Sequence, residues 1–151
     1  MNIEFEFPLN ENKDIVFRLD RQCSHLFEIA KLKANNESYA YNAVRFRVEK
    51  LKELHDLLTL GLNTPKSEIP IRTTKINGTQ VKILNYFGTF NAEYKNYQFM
   101  YTDWDCSEKY DFHTWHADYT QCEKGIRLTE EECSELLTAL KFLLRFENMK
   151  K

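Results

Sequence analysis

Alternating apolar and polar residues occupy most of the first fifty positions of the chain. Such alternation places every second side chain on one face, so it predicts half-buried β-strands rather than helices. The four predicted strands lie at 3–9, 14–22, 25–34 and 38–48. A helix is then predicted over 49–62, because leucines recur at the spacing of one buried helical face. These positions are Leu51, Leu54, Leu57 and Leu58.

The second half repeats this order with an additional strand at its start. Asn77-Gly78 divides the alternating run 69–90 and predicts a tight hairpin, because this pair accepts the positive φ angles of a two-residue turn. The remaining predicted elements are strands at 96–104, 109–115 and 124–128 and a helix at 129–146.

The last predicted helix has clear start signals. Thr129 is a favourable N-cap, and Glu132, three residues on, completes a capping box. Its predicted apolar stripe consists of Cys133, Leu136, Leu137, Leu140, Leu143 and Leu144.

Both halves therefore end in a strand that leads almost directly into a helix. A shift of 82 residues aligns 44–46 with 126–128 and keeps two leucine pairs of the helices in step. One helix cannot cover both faces of a sheet, so two such units are expected to pair helix against helix. The sequence thus predicts an α+β fold of two tandem ββββα units, 1–61 and 71–151, joined by a linker at 62–70. The chain would then form an intramolecular pseudo-dimer.

Composition narrows the class of protein. The 151 residues are 42% hydrophobic with only four Gly and three Pro, which is typical of a globular domain. No apolar run approaches the ~20 residues of a membrane span, and the acidic, alternating start is unlike a signal or transit peptide. We therefore expect a cytoplasmic protein. Four cysteines without C-x-x-C spacing predict free thiols, and a net charge of −2 opposes strong attraction to nucleic acid.

A dense motif lies between residues 101 and 137. A strand ending in Trp is followed by K-Y-D-[apolar]-x-x-W and then by K-G-I-x-L-T-x-E-E. This pattern resembles the transcriptional coactivator family of positive cofactor four, especially its compact bacterial and phage members, over roughly the last 60 to 70 residues. The matching residues are Trp104, Lys109, Tyr110, Asp111, Phe112, Trp115, Lys124, Gly125, Ile126, Leu128, Thr129, Glu131 and Glu132.

The resemblance implies strongly curved four-stranded sheets, each followed by a helix and paired as a dimer. It implies sequence-independent binding of single-stranded DNA, and in some members RNA, with no enzymatic activity and no cofactor. The related whirly and purine-rich-element-binding proteins share this architecture, the latter as tandem repeats in one chain. The chain departs from the family pattern at His113, where the family has Arg, and its loop 116–124 has one lysine. A second copy of the motif is absent from the first half. A monomer that is a pseudo-dimer and a homodimer are both compatible with the pattern.

Strand alternation sorts the candidate binding residues by face. If Phe99, Tyr101 and Phe112 lie in the core, then Trp104 and Trp115 lie on the outer face. Exposed there, the two indoles would stack on unpaired bases, at about 1–3 kcal/mol for each base. The alternative is that either indole simply fills a packing contact.

Cationic residues near these rings are the expected phosphate contacts. Lys109 and Lys124 take this role in the motif, Arg127 is a further candidate beside them, and His113 is expected to hydrogen-bond or stack. For any single lysine, an ordinary solvated surface position is an equally valid interpretation. A basic track in the first half is also predicted, formed by Arg18, Arg21, Arg45 and Arg47.

Other chemistry has weaker support in the sequence. His113, His116 and Cys122 do not have the spacing of a zinc site, and strand periodicity separates the two histidines. No nucleophile motif and no phosphate-binding glycine loop is present. The main alternative is a phage or mobile-element protein-binding module that kept the fold, lost nucleic-acid binding and acts on a host or transcription protein.

Overall fold

Two antiparallel sheets and two α-helices make up the described part of the chain, which in this computed structural model comprises residues 5–20, 23, 25–33 and 36–149. The first sheet has the order β1-β2-β3-β4. Its strands are β1 (Glu6–Pro8), β2 (Ile15–Leu19), β3 (Leu26–Lys33) and β4 (Asn36–Arg47). A 3₁₀ turn at Val48–Lys50 leads into helix α1 (Leu51–Asn63), as the leucine spacing predicts.

The second sheet contains five strands in the order in which they occur along the chain. These are β5 (Arg72–Ile76), β6 (Thr79–Asn91), β7 (Asn96–Trp104), β8 (Ser107–His113) and β9 (Ile126–Leu128), followed by helix α2 (Glu130–Met149). The five strands agree with the additional strand predicted at the start of this half, so the sheet has one strand more than the ββββα unit assigned to 71–151. The α+β class is confirmed.

The Asn77-Gly78 hairpin is confirmed in detail. Ile76 pairs with Thr79, and the two residues between them have φ angles of 50° and 84°. Positive φ at both positions is the geometry for which this dipeptide is favoured. The capping box is confirmed as well. The Thr129 N–H donates to Glu132 Oε1 at 2.8 Å, and the Glu132 N–H donates to Thr129 Oγ1 at 3.1 Å.

The main core lies between the sheets and the helices and draws on both halves of the chain. Phe46 of β4 packs edge-on against Phe90 of β6, with ring centroids 5.4 Å apart. The two helices also contact each other, and the Tyr110 hydroxyl donates to the carbonyl oxygen of Gly61 in α1 at 3.2 Å. Six residues of the predicted stripes are buried in the helices, namely Leu51, Leu54, Leu58, Cys133, Leu136 and Leu140. Gly61 and Ala139 are also buried there, outside those stripes.

A second, smaller apolar cluster covers the opposite face of the second sheet. Its buried members are Ile76, Val81, Ile83, Met100 and Trp115, with Trp104, Tyr119 and Cys122 packed at its edge. The segment 114–125 between β8 and β9 lies over this face, where Trp115 and Cys122 form an isolated bridge. Neither α1 nor α2 is long and apolar enough to cross a membrane.

Candidate nucleic-acid interface

The face assignment predicted for the two tryptophans is confirmed. Phe99 and Tyr101 of β7 point into the main core, whereas Met100 and Trp104 belong to the outer cluster. On β8, the inward positions are Tyr110 and Phe112, so the residues between and beside them face outward. This alternation places Lys109, Asp111 and His113 on the same face as Trp104.

A buried carboxylate organises this outer face. Asp111 has 0% of its surface exposed. Its Oδ2 accepts hydrogen bonds from Thr102 Oγ1 at 2.8 Å and from Trp104 Nε1 at 2.9 Å. Its Oδ1 is bonded to His113 Nδ1. A carboxylate only accepts, so this contact is a hydrogen bond in the form of the imidazole that carries a proton on Nδ1.

Arg127 completes the cluster from β9, where it is paired with Asp111 in the sheet register. Its Nε lies 3.3 Å from Asp111 Oδ2, and its Nη2 donates to the carbonyl oxygens of Thr102 at 3.0 Å and Ser107 at 2.8 Å. Burial lowers the pKa of Arg127, while the Asp111 carboxylate acts in the opposite direction. The guanidinium is therefore held largely by the protein itself, with 19% of the side chain exposed.

Aromatic rings form a row across the same face. Trp104 stacks on His113 with centroids 5.5 Å apart and also lies 5.9 Å from Trp115. Trp115 in turn lies 5.7 Å from Tyr119. Two arginines flank the row, Arg127 over Trp104 at 5.5 Å and Arg72 over Tyr119 at 4.7 Å.

The expected exposure of Trp115 is wrong. Only 6% of its surface is accessible, because Tyr119 and the rest of segment 114–125 fold over it. Among the residues that the structure describes, none is a hydrogen-bond partner of its Nε1. Trp115 is thus a packing residue of the outer cluster, whereas Trp104 is only partly buried and keeps an accessible edge.

The described arginines of the basic track predicted for the first half are paired with carboxylates, so they do not form a continuous unpaired positive surface. Arg18 is 2% exposed and pairs with Glu28 at 3.0 Å. Arg45 pairs with Asp20 at 2.9 Å, and Arg47 makes two hydrogen bonds to Glu93. Arg21 lies outside the described residues. Ion pairs within the protein therefore balance most of this local excess of positive charge.

A groove of about 1070 Å³ opens beside the Asp111 cluster. Lys109, His113 and Arg127 line it from the second sheet, and Lys31 and Asn42 line it from the first. Carboxylates line it as well, namely Glu11, Asp14, Glu131, Glu132 and Glu135. Three of the six predicted binding residues thus meet in one groove that has mixed charge.

Lys124 lines a smaller pocket of about 190 Å³, between β4 and the β6–β7 hairpin. Asn42 lines both cavities, so the pocket and the groove meet at this residue. Sequence reasoning did not find Tyr94 and Lys95, which line the pocket with Lys124 and lie at the hairpin turn. An aromatic residue next to a lysine in a short polar turn was the available signal.

The cluster offers little for nucleophilic or metal chemistry. Burial, with a contribution from Asp111, raises the pKa of Cys122 to about 11, so this thiol is protonated at neutral pH. Among the residues that the structure describes, no three His, Cys, Asp or Glu side chains gather closely enough to hold a metal ion.

Comparison of the chain with protein-family models, curated proteins and solved structures gives no match. The resemblance to the positive cofactor four family therefore depends on the motif residues alone.

Proposed function

We propose that the protein binds single-stranded nucleic acid, DNA more than RNA, largely independently of sequence, in transcription or replication. The observation that carries this proposal is the pair of cavities, the groove and the pocket, which share Asn42 in their lining. Four of the six predicted binding residues line these two cavities, namely Lys109, His113, Lys124 and Arg127. Trp104 lies at the edge of the groove through its stack on His113. In this proposal the two sheet-and-helix halves are tandem whirly-like units, related to the positive cofactor four family.

Roles within the site follow from burial and bonding. Lys109 and Lys124 contact phosphates, because Lys109 lines the groove and Lys124 lines the pocket. Trp104 and His113 supply ring surface for an unpaired base. Arg127 and Asp111 hold these rings in place, and Trp115 has no direct contact with the ligand.

Binding is tested by fluorescence anisotropy with a labelled single-stranded oligonucleotide at low salt. Lys109→Ala should lower affinity evenly across sequences and reduce the slope of log affinity against log salt by about 0.7. Lys75→Ala, an exposed lysine of β5 outside both cavities, is the matched control and should bind like the wild type. Absence of binding by the wild type even at low salt would reject the proposal.

A second candidate function is favoured by the five carboxylates of the groove and the net charge of −2. In this alternative the groove binds a basic segment of a host or transcription protein, as electrostatic complementarity would direct. A lysine-rich peptide should then bind, and Glu135→Gln should weaken that binding. A wild type that binds the oligonucleotide but not this peptide would reject the alternative.

A further inference from the structure

We propose that the small pocket between β4 and the β6–β7 hairpin is an anion-binding subsite that takes one nucleotide of a bound strand. Its phosphate would lie against Lys95, Lys124 and Arg45, and its base would stack on Tyr94. This inference rests on the proposed function and names where the phosphate backbone is held.

The charge of the lining residues distinguishes this pocket from the larger groove. The groove is lined by five carboxylates, whereas the pocket is lined by three cationic side chains and no carboxylate. Its lining residues are Asn42, Ala43, Arg45, Tyr94, Lys95, Tyr97 and Lys124. Arg45 pairs with Asp20 at 2.9 Å and Glu28 at 3.3 Å, and Lys95 pairs with Glu123 at 3.5 Å. None of these carboxylates lines the pocket. A phosphate entering it therefore meets cations first.

The pocket is preformed, because hydrogen bonds hold the hairpin against β4. The Glu93 N–H donates to the Arg45 carbonyl oxygen at 2.9 Å, and the Glu93 carboxylate accepts two hydrogen bonds from Arg47. The Tyr97 hydroxyl donates to the Ala43 carbonyl oxygen at 3.4 Å. Burial raises the pKa of Tyr97, so its hydroxyl remains protonated and keeps this bond at neutral pH.

Tyr94 provides the accessible ring that Trp115 does not. It is 71% exposed, in a four-residue turn closed by the Ala92 N–H bonding to the Lys95 carbonyl oxygen at 3.0 Å. An aromatic ring beside two lysines is the combination with which proteins hold unpaired bases and their phosphates. The pocket volume of about 190 Å³ lies below the roughly 300–1,000 Å³ of sites for whole small molecules. It fits one unit of a polymer better than a free cofactor.

The test measures anisotropy of fluorescein-labelled oligodeoxythymidine with the full-length chain at low salt. Tyr94→Leu should lower affinity by about tenfold or more, since stacking requires the ring, and Tyr94→Phe should restore it. Lys95→Ala should lower affinity and reduce the salt slope by about 0.7. The matched controls are Tyr86→Leu, a half-exposed tyrosine of β6 outside the pocket, and Lys75→Ala. Both should bind like the wild type.

Different failures have different meanings. If the wild type binds but Tyr94→Leu and Lys95→Ala bind equally well, the subsite is wrong and the proposed function stands. If Tyr94→Phe binds as weakly as Tyr94→Leu, stacking on this ring is wrong. If the wild type binds no oligonucleotide, the proposed function fails and the subsite fails with it. Thermal melting of each variant checks that the fold is retained.

Discussion

Asp111 is the residue on which the outer face of the second sheet depends. It is fully buried and accepts from Thr102, Trp104 and His113 while facing Arg127. Asp111→Asn keeps the shape but replaces one accepting oxygen with a donating amide and leaves Arg127 without a counter-charge. We expect a loss of about 3 kcal/mol in the free energy of unfolding, measured by urea denaturation. Asp105→Asn, an exposed position at the β7–β8 turn, removes the same charge and should change stability little.

Trp115 gives a second prediction at this scale. Its ring is buried in the outer cluster, and its Nε1 has no hydrogen-bond partner within the described part of the chain, so the side chain contributes by packing. Trp115→Ala should destabilise the protein by about 3–5 kcal/mol. Trp115→Phe should cost roughly 1–2 kcal/mol, because no hydrogen bond is lost. Equal urea midpoints for wild type and Trp115→Ala would contradict this packing role. Phe142→Ala, an exposed aromatic position on α2, is the control.

The cysteines differ in reactivity for a physical reason. Burial raises the pKa of Cys122 to about 11 and also raises that of Cys133, whereas Cys106 is exposed. Because the thiolate is the nucleophile, a raised pKa lowers the reactive fraction at pH 8. Iodoacetamide should therefore modify Cys106 first, and Cys122 should react faster as the pH rises toward 11. Mass spectrometry after timed labelling measures this order, and rapid labelling of Cys133 in the native protein would contradict it.

At the scale of elements, the start of α2 is the clearest local signal. The Thr129 hydroxyl satisfies the Glu132 N–H, one of the four N–H groups at the helix start that lack a partner in the helix. Thr129→Ala should lower stability by about 1 kcal/mol. Thr138→Ala is the matched control, since Thr138 lies exposed in mid-helix and bonds back to the Ser134 carbonyl oxygen. Alanine there should be neutral or slightly stabilising. Equal losses for the two variants would exclude a capping effect.

Most elements of this fold were predictable because each has a periodic pattern. The four strands of the first sheet match their predicted runs, and Asn77-Gly78 located the β5–β6 turn. The position of segment 114–125 was not predictable, because it has no regular period. Alternation correctly placed Trp115 on the outer face, but its burial depends on this segment folding over it. Strand alternation shows on which face of the sheet a side chain lies, but it does not show how exposed that side chain is.

The site was predictable only in part for a similar reason. The stretch that contains the motif supplied Lys109, His113 and Arg127 as candidates, and the structure brings all three to one groove. The network around Asp111 required β9 to pair with β8, and the carboxylates of the groove come from distant parts of the chain. Charge pairing likewise partly neutralises Arg18 and Arg45 of the predicted basic track, because Glu28 of the neighbouring strand β3 pairs with both and this pairing cannot be read from local sequence.

At the scale of the molecule, the two halves share one apolar core. Phe46 of the first sheet packs on Phe90 of the second, and α1 contacts α2. Lys66 bonds to Glu130 at 2.7 Å, which joins the connection after α1 to the start of α2. The proposed division into two tandem units therefore describes the order of elements along the chain. The halves still depend on each other, because each contributes residues to the one buried core.

This interdependence gives the last prediction. Residues 64–71 form no helix or strand, so a cut there breaks no element. Fragments 1–65 and 66–151 should each lack a cooperative thermal transition, because each exposes the apolar face that the other covers. Mixed in equal amounts, they should recover the near-ultraviolet circular dichroism of the whole chain. Fragment 66–151 carries the whole family-like motif, so its self-association is the informative alternative. If it folds cooperatively alone as a dimer, measured by sedimentation, then this unit is self-sufficient and the first half replaces a second copy of it.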